Sequence, residues 1–204
     1  DRCANTGTRP ANNLCPHQDY VCMVPLSGGN RERVAAYDAA VEDTIRTLSA
    51  EPRFVEPVLN HPWMTDETTE IAIMLDDIQL LVALLIFRKL QQKPLPKHCL
   101  KALDASPQDL PDMTRHWWNI LVGSFLFHAS FVRTEEQEAY QKELARALRA
   151  ADLLHRRELR LNESRPVKHT LATASEKVGA CAAIYRLERH VRGDALRQVI
   201  LTDF

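Results

Sequence analysis

Two adjacent carboxylates, Asp76 and Asp77, interrupt a largely apolar stretch near the middle of the chain. Within an apolar helix an ionised acid needs a cationic or hydrogen-bonding partner, because burying it alone forces it to take up a proton at a cost in free energy. An acid held in this way is what general acid–base catalysis requires. The structural alternative is that one carboxylate faces solvent while the other pairs with an arginine of a neighbouring helix.

A second candidate for catalysis is a histidine that follows a carboxylate by one helical turn. Asp112 and His116 share a helical face, so the carboxylate could orient the imidazole, which is half of a Ser-His-Asp arrangement. No serine or cysteine is tied to this pair by spacing. A helical hydrolase built on this chain would use Asp76, Asp77, His116 or His128, and this is the alternative to a binding function.

Binding of another protein is indicated by an aromatic residue beside an acidic segment. Trp63 lies in the Pro-broken stretch 51–64, where it is either an exposed anchor of an interface or a residue packed over the end of the helices. From Glu51 to Phe87 there are seven acids and a single base, Arg53. This segment is either a solvated face or a surface that attracts a basic partner. The predicted partner-binding residues are Trp63, Asp66, Glu67, Glu70 and Asp77.

The five cysteines suggest an oxidising compartment. Cys3, Cys15 and Cys22 crowd a segment that is rich in Asn, Thr, Pro and Gly, buries little and gains stability from disulfides. Cys99 and Cys181 lie far away along the chain and are either disulfide partners or buried thiols. All five are therefore disulfide candidates, and the connectivity stays open.

Motifs for metal, cofactor or nucleotide binding are absent from the sequence. The spacings of the first three cysteines lack the close pair of a zinc site, although His17 could supply a fourth ligand. No phosphate-binding glycine loop, metalloprotease motif or EF-hand loop occurs. We therefore predict no cofactor, no metal and no catalytic residue for the preferred, non-catalytic interpretation.

The helical pattern predicts an all-α fold. A central helix is expected from Thr65 to Lys93, with Ile71, Met74/Leu75 and Ile78 facing inward and residues 80–87 covered on all sides. It is not a membrane span, because Asp76, Asp77 and Gln79 interrupt its apolar run. We expect a compact bundle of five to six helices in residues 31–204, preceded by an irregular, disulfide-stapled arm in residues 1–30.

Four further helices accompany the central one in this interpretation. An amphipathic helix over residues 31–50 precedes it. A second buried helix is expected from Ser106 to about Val132, a helix with a capping box at Thr134 follows, and a last helix begins between Thr170 and Thr173.

Charge and the first residue complete the prediction of function. The chain carries 26 basic and 27 acidic residues, which gives no reason to expect nucleic acid as a partner. It begins at Asp1, so a precursor segment is expected upstream, and a lipid anchor there stays open.

We predict an exported, periplasmic or secreted, non-catalytic protein that binds another protein with a basic surface. An immunity protein or inhibitor of a toxin or effector is one instance. A cytoplasmic regulator with reduced thiols is a weaker alternative.

Overall fold

The computed structural model describes residues 27–131, 134–162 and 165–195. These residues are mostly helical, which confirms the predicted all-α class. They divide into two units, one of residues 31–171 and one that holds residues 27–30 and 172–195. Cys3, Cys15, Cys22 and the other residues of the predicted arm up to residue 26 lie outside the described residues.

The described chain contains more helical segments than the five to six that the sequence predicted. The helices are α1 (Gly28–Ala50), α2 (Pro52–Leu59), α3 (Pro62–Thr65), α4 (Ile71–Asp76), α5 (Ile78–Leu90), α6 (Lys97–Ala102), α7 (Arg115–Phe127), α8 (Glu135–Ala150), α9 (Arg165–Ala172) and α10 (Glu176–Arg192). A two-residue antiparallel hairpin, β1 (Leu154–His155) and β2 (Glu158–Leu159), follows α8, and a 3-10 turn (Gly193–Ala195) follows α10. Most of the additional segments are short.

The predicted central helix is two helices that meet at Asp77. This residue has non-helical backbone angles, φ −129° and ψ 71°, and its side chain accepts a hydrogen bond from the N–H of Leu80 at 3.0 Å. That is the geometry of an N-cap, which satisfies a backbone donor that has no partner within the helix. The continuous helix from Thr65 to Lys93 was wrong, because a carboxylate able to cap competes with helix continuation at its own position.

The core of the unit of residues 31–171 forms around α5. Leu80, Leu81, Leu84, Leu85, Ile86 and Phe87 are almost fully buried, as the all-apolar run predicted. The ring of Phe54 in α2 lies 5.9 Å from Phe87, 5.0 Å from Phe125 and 6.2 Å from Trp118 between ring centroids. These contacts join α2, α5 and α7 into one aromatic cluster, in which each ring removes a large apolar area from water.

Helix α7 begins at Arg115, nine residues after the predicted start at Ser106. The hydroxyl and the N–H of Ser106 do bond to the carboxylate of Asp109, at 2.6 and 2.7 Å, but they close a local turn. Pro111 follows, and a proline within a helix loses a backbone hydrogen bond and clashes with the preceding turn. The capping box between Thr134 and Gln137 that begins α8 is confirmed.

In the unit of residues 27–30 and 172–195, the side chain of Glu176 accepts a hydrogen bond from the N–H of Ser27 at 2.6 Å. Several apolar side chains of α10 are open to solvent, since Val178, Leu187 and Val191 are 71, 54 and 61% exposed. A helical pattern of apolar residues shows that one face of the helix is apolar. It does not show whether another element packs against that face. Within the part of the chain that is described, no helix has the length and apolar character needed to cross a bilayer.

Candidate functional site

Four polar side chains from separate segments meet at one side of the core. His61 is the N-cap residue of α3, His128 is the C-cap residue of α7, and Ser130 follows two residues later. Asp77 joins them from the junction of α4 and α5. We call His61, Ser130, His128 and Asp77 the relay, because each side chain faces the next in that order.

His61 is completely buried, and its ring lies edge-on to Trp63 and Phe131, with centroids 5.1 and 4.7 Å away. Burial, and to a lesser extent the neighbouring His128, lower its pKa to about 4. His61 is therefore neutral at neutral pH and carries one proton on its ring. The N–H of Trp63 donates to Nδ1 at 3.2 Å, so that proton is on Nε2.

Ser130 lies between two imidazoles. Nε2 of His61 is 2.8 Å from the Ser130 hydroxyl oxygen, and its proton is donated to that oxygen. The Ser130 hydroxyl then donates to Nδ1 of His128 at 2.6 Å, and the N–H of Ser130 faces the same nitrogen at 3.2 Å. Because Nδ1 accepts, a neutral His128 carries its proton on Nε2.

The relay ends at a carboxylate. Nε2 of His128 lies 3.7 Å from Oδ2 of Asp77, and the two side chains are 33 and 36% exposed. At this distance Asp77 and His128 form no hydrogen bond, so Asp77 acts on the imidazole through its charge, while Nδ1 of His128 accepts a hydrogen bond from the Ser130 hydroxyl. A serine with a base that is positioned by a carboxylate is the arrangement that serves nucleophilic catalysis.

Of the four residues considered for a hydrolase, the structure brings only Asp77 and His128 together. Asp76 is exposed, and His116 is exposed with its ring 5.2 Å from that of Trp117 and no hydrogen bond to Asp112. Sequence analysis missed His61 and Ser130. One local signal was present in the sequence: His61 precedes Trp63 by two residues, and His128 precedes Ser130 by two residues. At this spacing the Nδ1 of a histidine can accept a hydrogen bond from the backbone N–H of the later residue.

Cys99 and Cys181 are free thiols, so these two disulfide candidates are corrected. Cys99 is buried, and its thiol donates to the carbonyl of Trp63 at 3.0 Å, where Nε2 of His98 also lies 2.9 Å away. Burial raises the pKa of the Cys99 thiol to about 11, although the charge of Arg88 opposes this. The thiol is therefore protonated at neutral pH and is not a nucleophile.

Trp63 is 5% exposed, so its prediction as an exposed anchor for a partner is wrong. Its ring packs between His61 and His128, at centroid distances of 5.1 and 6.0 Å. Pro62 at the first position of α3 and the His61 cap turn the chain so that Trp63 points into the core. Packing over the end of the helices, the alternative considered for this residue, is what the structure shows.

An apolar surface lies instead on α4 and the start of α5. Ile71 and Ile73 are each 50% exposed, Leu75 is 41% exposed and Ile78 is 49% exposed, whereas Met74 alone of this segment is buried. The predicted inward face is confirmed for Met74 and was wrong for Ile71, Leu75 and Ile78. The break at Asp77 ends α4 after six residues, so the inward direction of α5 does not extend back along it.

Exposed carboxylates precede and interrupt this apolar segment along the chain. Glu67, Glu70 and Asp76 are exposed and form no ion pair with any residue of the described ranges. Asp66 is exposed too, and its side chain accepts hydrogen bonds from the N–H and hydroxyl of Thr68. We call Ile71, Ile73, Leu75 and Ile78, with the carboxylates of Asp66, Glu67, Glu70 and Asp76, the α4 surface. Asp77, predicted as a partner-binding residue, belongs to the relay.

Metal binding has no support in the geometry of the described ranges, where no three His, Cys, Asp or Glu side chains converge as ligands.

Comparison of the chain with protein-family models, with curated proteins and with solved structures finds no significant match. The all-α fold therefore defines the class of the protein. The α4 surface and the relay are the features that bear on its function.

Proposed function

We propose that this protein binds another protein through the α4 surface, and that the partner presents apolar side chains within a basic rim. The observation that carries the proposal is the half exposure of Ile71, Ile73, Leu75 and Ile78 within one short segment. Single exposed apolar residues are ordinary on protein surfaces, but several of them within one short segment, with polar residues beside them in the chain, indicate an interaction site.

The negative charge of the segment determines which kind of partner surface it attracts. Residues 65–79 contain five acids and no base, and Glu67, Glu70 and Asp76 are exposed without ion pairs in the described chain. Such a rim speeds the approach of a basic surface and disfavours an acidic one, while the apolar centre supplies most of the affinity. The immunity or inhibitor class stays a prediction from the sequence.

Export forms part of the same proposal. Its support is the group of Cys3, Cys15 and Cys22 in a segment whose composition gives it little to bury. Periplasmic or secreted proteins with such segments are held together by disulfides, and the thiol mapping described in the Discussion tests this point.

The binding experiment uses two defined peptides of the same amphipathic pattern, one with leucine and lysine and the other with leucine and glutamate. We expect the lysine peptide to bind the full chain in fluorescence anisotropy and the glutamate peptide not to bind. In the double variant Ile71→Ser with Ile78→Ser, each substitution should weaken the binding free energy by about 1 kcal/mol, because less apolar area is buried against the peptide. The affinity for the lysine peptide should therefore fall by a factor of about 30.

Leu90→Ser is the matched control, because Leu90 is 48% exposed on the same helix as Ile78 but outside the α4 surface. It should bind the lysine peptide like the native chain, and binding should weaken when ionic strength rises from about 0.05 M to about 0.5 M. Equal binding of both peptides, or equal loss in the control, contradicts the proposal. So does a dimer of the native chain that dissociates in the double variant, because a second copy then occupies the surface.

A further inference from the structure

We propose that Ser130 is the nucleophile of an acyl-transfer site in which His128 is the general base and Asp77 is the residue that positions it. The substrate class is an ester whose acyl group is short enough to enter a cleft of about 340 Å³. Nothing in this site depends on binding through the α4 surface, and none of its three residues belongs to that surface.

The first support is the direction of the hydrogen bonds at Ser130. A nucleophilic serine needs an unprotonated nitrogen at its hydroxyl, and Nδ1 of His128 is 2.6 Å from that oxygen in the accepting role. The Nε2–H of His61 donates to the same oxygen at 2.8 Å. That donor leaves the hydroxyl proton no acceptor but His128, and it stabilises the negative charge that develops on the oxygen as the proton leaves.

The second support is the carboxylate behind the base. Oδ2 of Asp77 lies 3.7 Å from Nε2 of His128, on the side of the ring opposite to Ser130. Its other oxygen is held by the N–H of Leu80 at 3.0 Å, which fixes the orientation of the carboxylate. The carboxylate therefore lies beside the His128 ring while that ring holds the serine proton, which is the place of the positioning acid in a Ser-His-Asp arrangement.

The third support is a cleft beside the relay. It has a volume of about 340 Å³ and is lined in part by Asn60 and Pro62, the neighbours of His61, and by Phe131, the neighbour of Ser130. Its size lies within the range of sites for small molecules. Its lining combines apolar side chains, among them Pro57, Phe131 and Tyr140, with the charged Arg53, Glu56 and Glu136.

The reaction takes place in two steps. The hydroxyl oxygen of Ser130 attacks the acyl carbon while its proton passes to Nδ1 of His128. The bond between the acyl carbon and the alcohol oxygen breaks, and the leaving alkoxide takes that proton. Water then attacks the acyl-serine and gives a proton to His128. The bond between the acyl carbon and the Ser130 oxygen breaks, the proton returns to that oxygen, and the carboxylic acid leaves.

The test is covalent labelling of the full chain with an alkyl fluorophosphonate, followed by intact mass and peptide mapping. We expect one adduct, on Ser130, with loss of fluoride, together with turnover of p-nitrophenyl butyrate. Replacement of the base in His128→Gln should slow labelling by about 100-fold or more. Asp77→Asn keeps an oxygen for the Leu80 N–H, so we expect it to lower the maximal inactivation rate at least about tenfold without changing the concentration for half-maximal rate.

Two controls make the same chemical changes elsewhere. Ser124→Ala alters another partly buried serine of the same region, and Asp112→Asn alters an exposed carboxylate without a hydrogen bond to a base. Both should label like the native chain, and thermal unfolding by circular dichroism should show that every variant is folded. Absence of an adduct, an adduct on another residue, or native labelling of Asp77→Asn would each overturn the proposed site.

Discussion

The carboxylate that begins α5 also faces the imidazole that ends α7, since Oδ2 of Asp77 lies 3.7 Å from Nε2 of His128. Oδ1 of the same side chain accepts the hydrogen bond from Leu80 that caps α5. One residue therefore breaks the predicted central helix and terminates the relay through Ser130. Oδ1 caps α5 and Oδ2 faces His128, so substitutions of Asp77 can affect the cap and the contact with His128 separately.

We expect Asp77→Ala to lower the free energy of unfolding by about 1 kcal/mol, because a capping oxygen is lost from the N–H of Leu80. Asp77→Asn retains that oxygen and should lose only a few tenths of a kcal/mol (about 0.3). Urea denaturation measures both values. If Asn and Ala are equally destabilising, the charge of Asp77 rather than its capping bond stabilises the fold.

His61 should make stability dependent on pH. Burial lowers its pKa in the folded chain to about 4, whereas the unfolded value is about 6.5. The unfolded chain therefore binds a proton first as pH falls, so the contribution of His61 is complete above about pH 6.5 and is lost between about pH 6.5 and 4. The loss amounts to about 3 kcal/mol, from the size of the pKa shift.

Urea denaturation at a series of pH values tests this expectation. His61→Asn keeps an acceptor for the N–H of Trp63 but cannot titrate, so its free energy of unfolding should fall less than that of the native chain over the same interval. His155→Asn is the control, because His155 is exposed, and it should retain the native pH dependence. An unchanged slope in His61→Asn would assign the pH dependence to other groups.

The two described thiols should differ in reactivity. Cys99 is buried with its pKa raised to about 11, whereas Cys181 is partly exposed. Because each pKa unit lowers the thiolate fraction tenfold, Cys99 in the folded chain should alkylate more than about 100-fold more slowly than an unperturbed thiol. Peptide mapping after timed iodoacetamide treatment measures this, and denaturant should abolish the protection. Equally rapid modification without denaturant would show that the site opens readily.

The free state of Cys99 and Cys181 changes the expected disulfide pattern. Five cysteines minus these two leaves Cys3, Cys15 and Cys22, which allow at most one intramolecular bridge. We expect three alkylated cysteines when the oxidised chain is denatured without reductant and five after reduction, as measured by intact mass. Five without reductant, in protein from the native source, would contradict an oxidising compartment.

Sequence periodicity and capping chemistry predicted those elements whose determinants are local. The capping box of α8 joins Thr134 and Gln137, three residues apart, and both hydrogen bonds are present. The apolar run of α5 had to be covered on all sides, and it forms the core. In both cases the decisive interactions lie within one helical turn or follow from composition alone.

Tertiary structure decided which side chains meet and which apolar faces remain open. Sequence alone determined an all-α chain with an acidic segment, and it could not show that Trp63 is buried while Ile71 is half exposed. That outcome depends on the turns at Pro62 and Asp77, which redirect the helices. The relay unites residues 61, 77, 128 and 130, and such long-range pairings are set by the packing of α5 against α7 and α2, which no local pattern encodes.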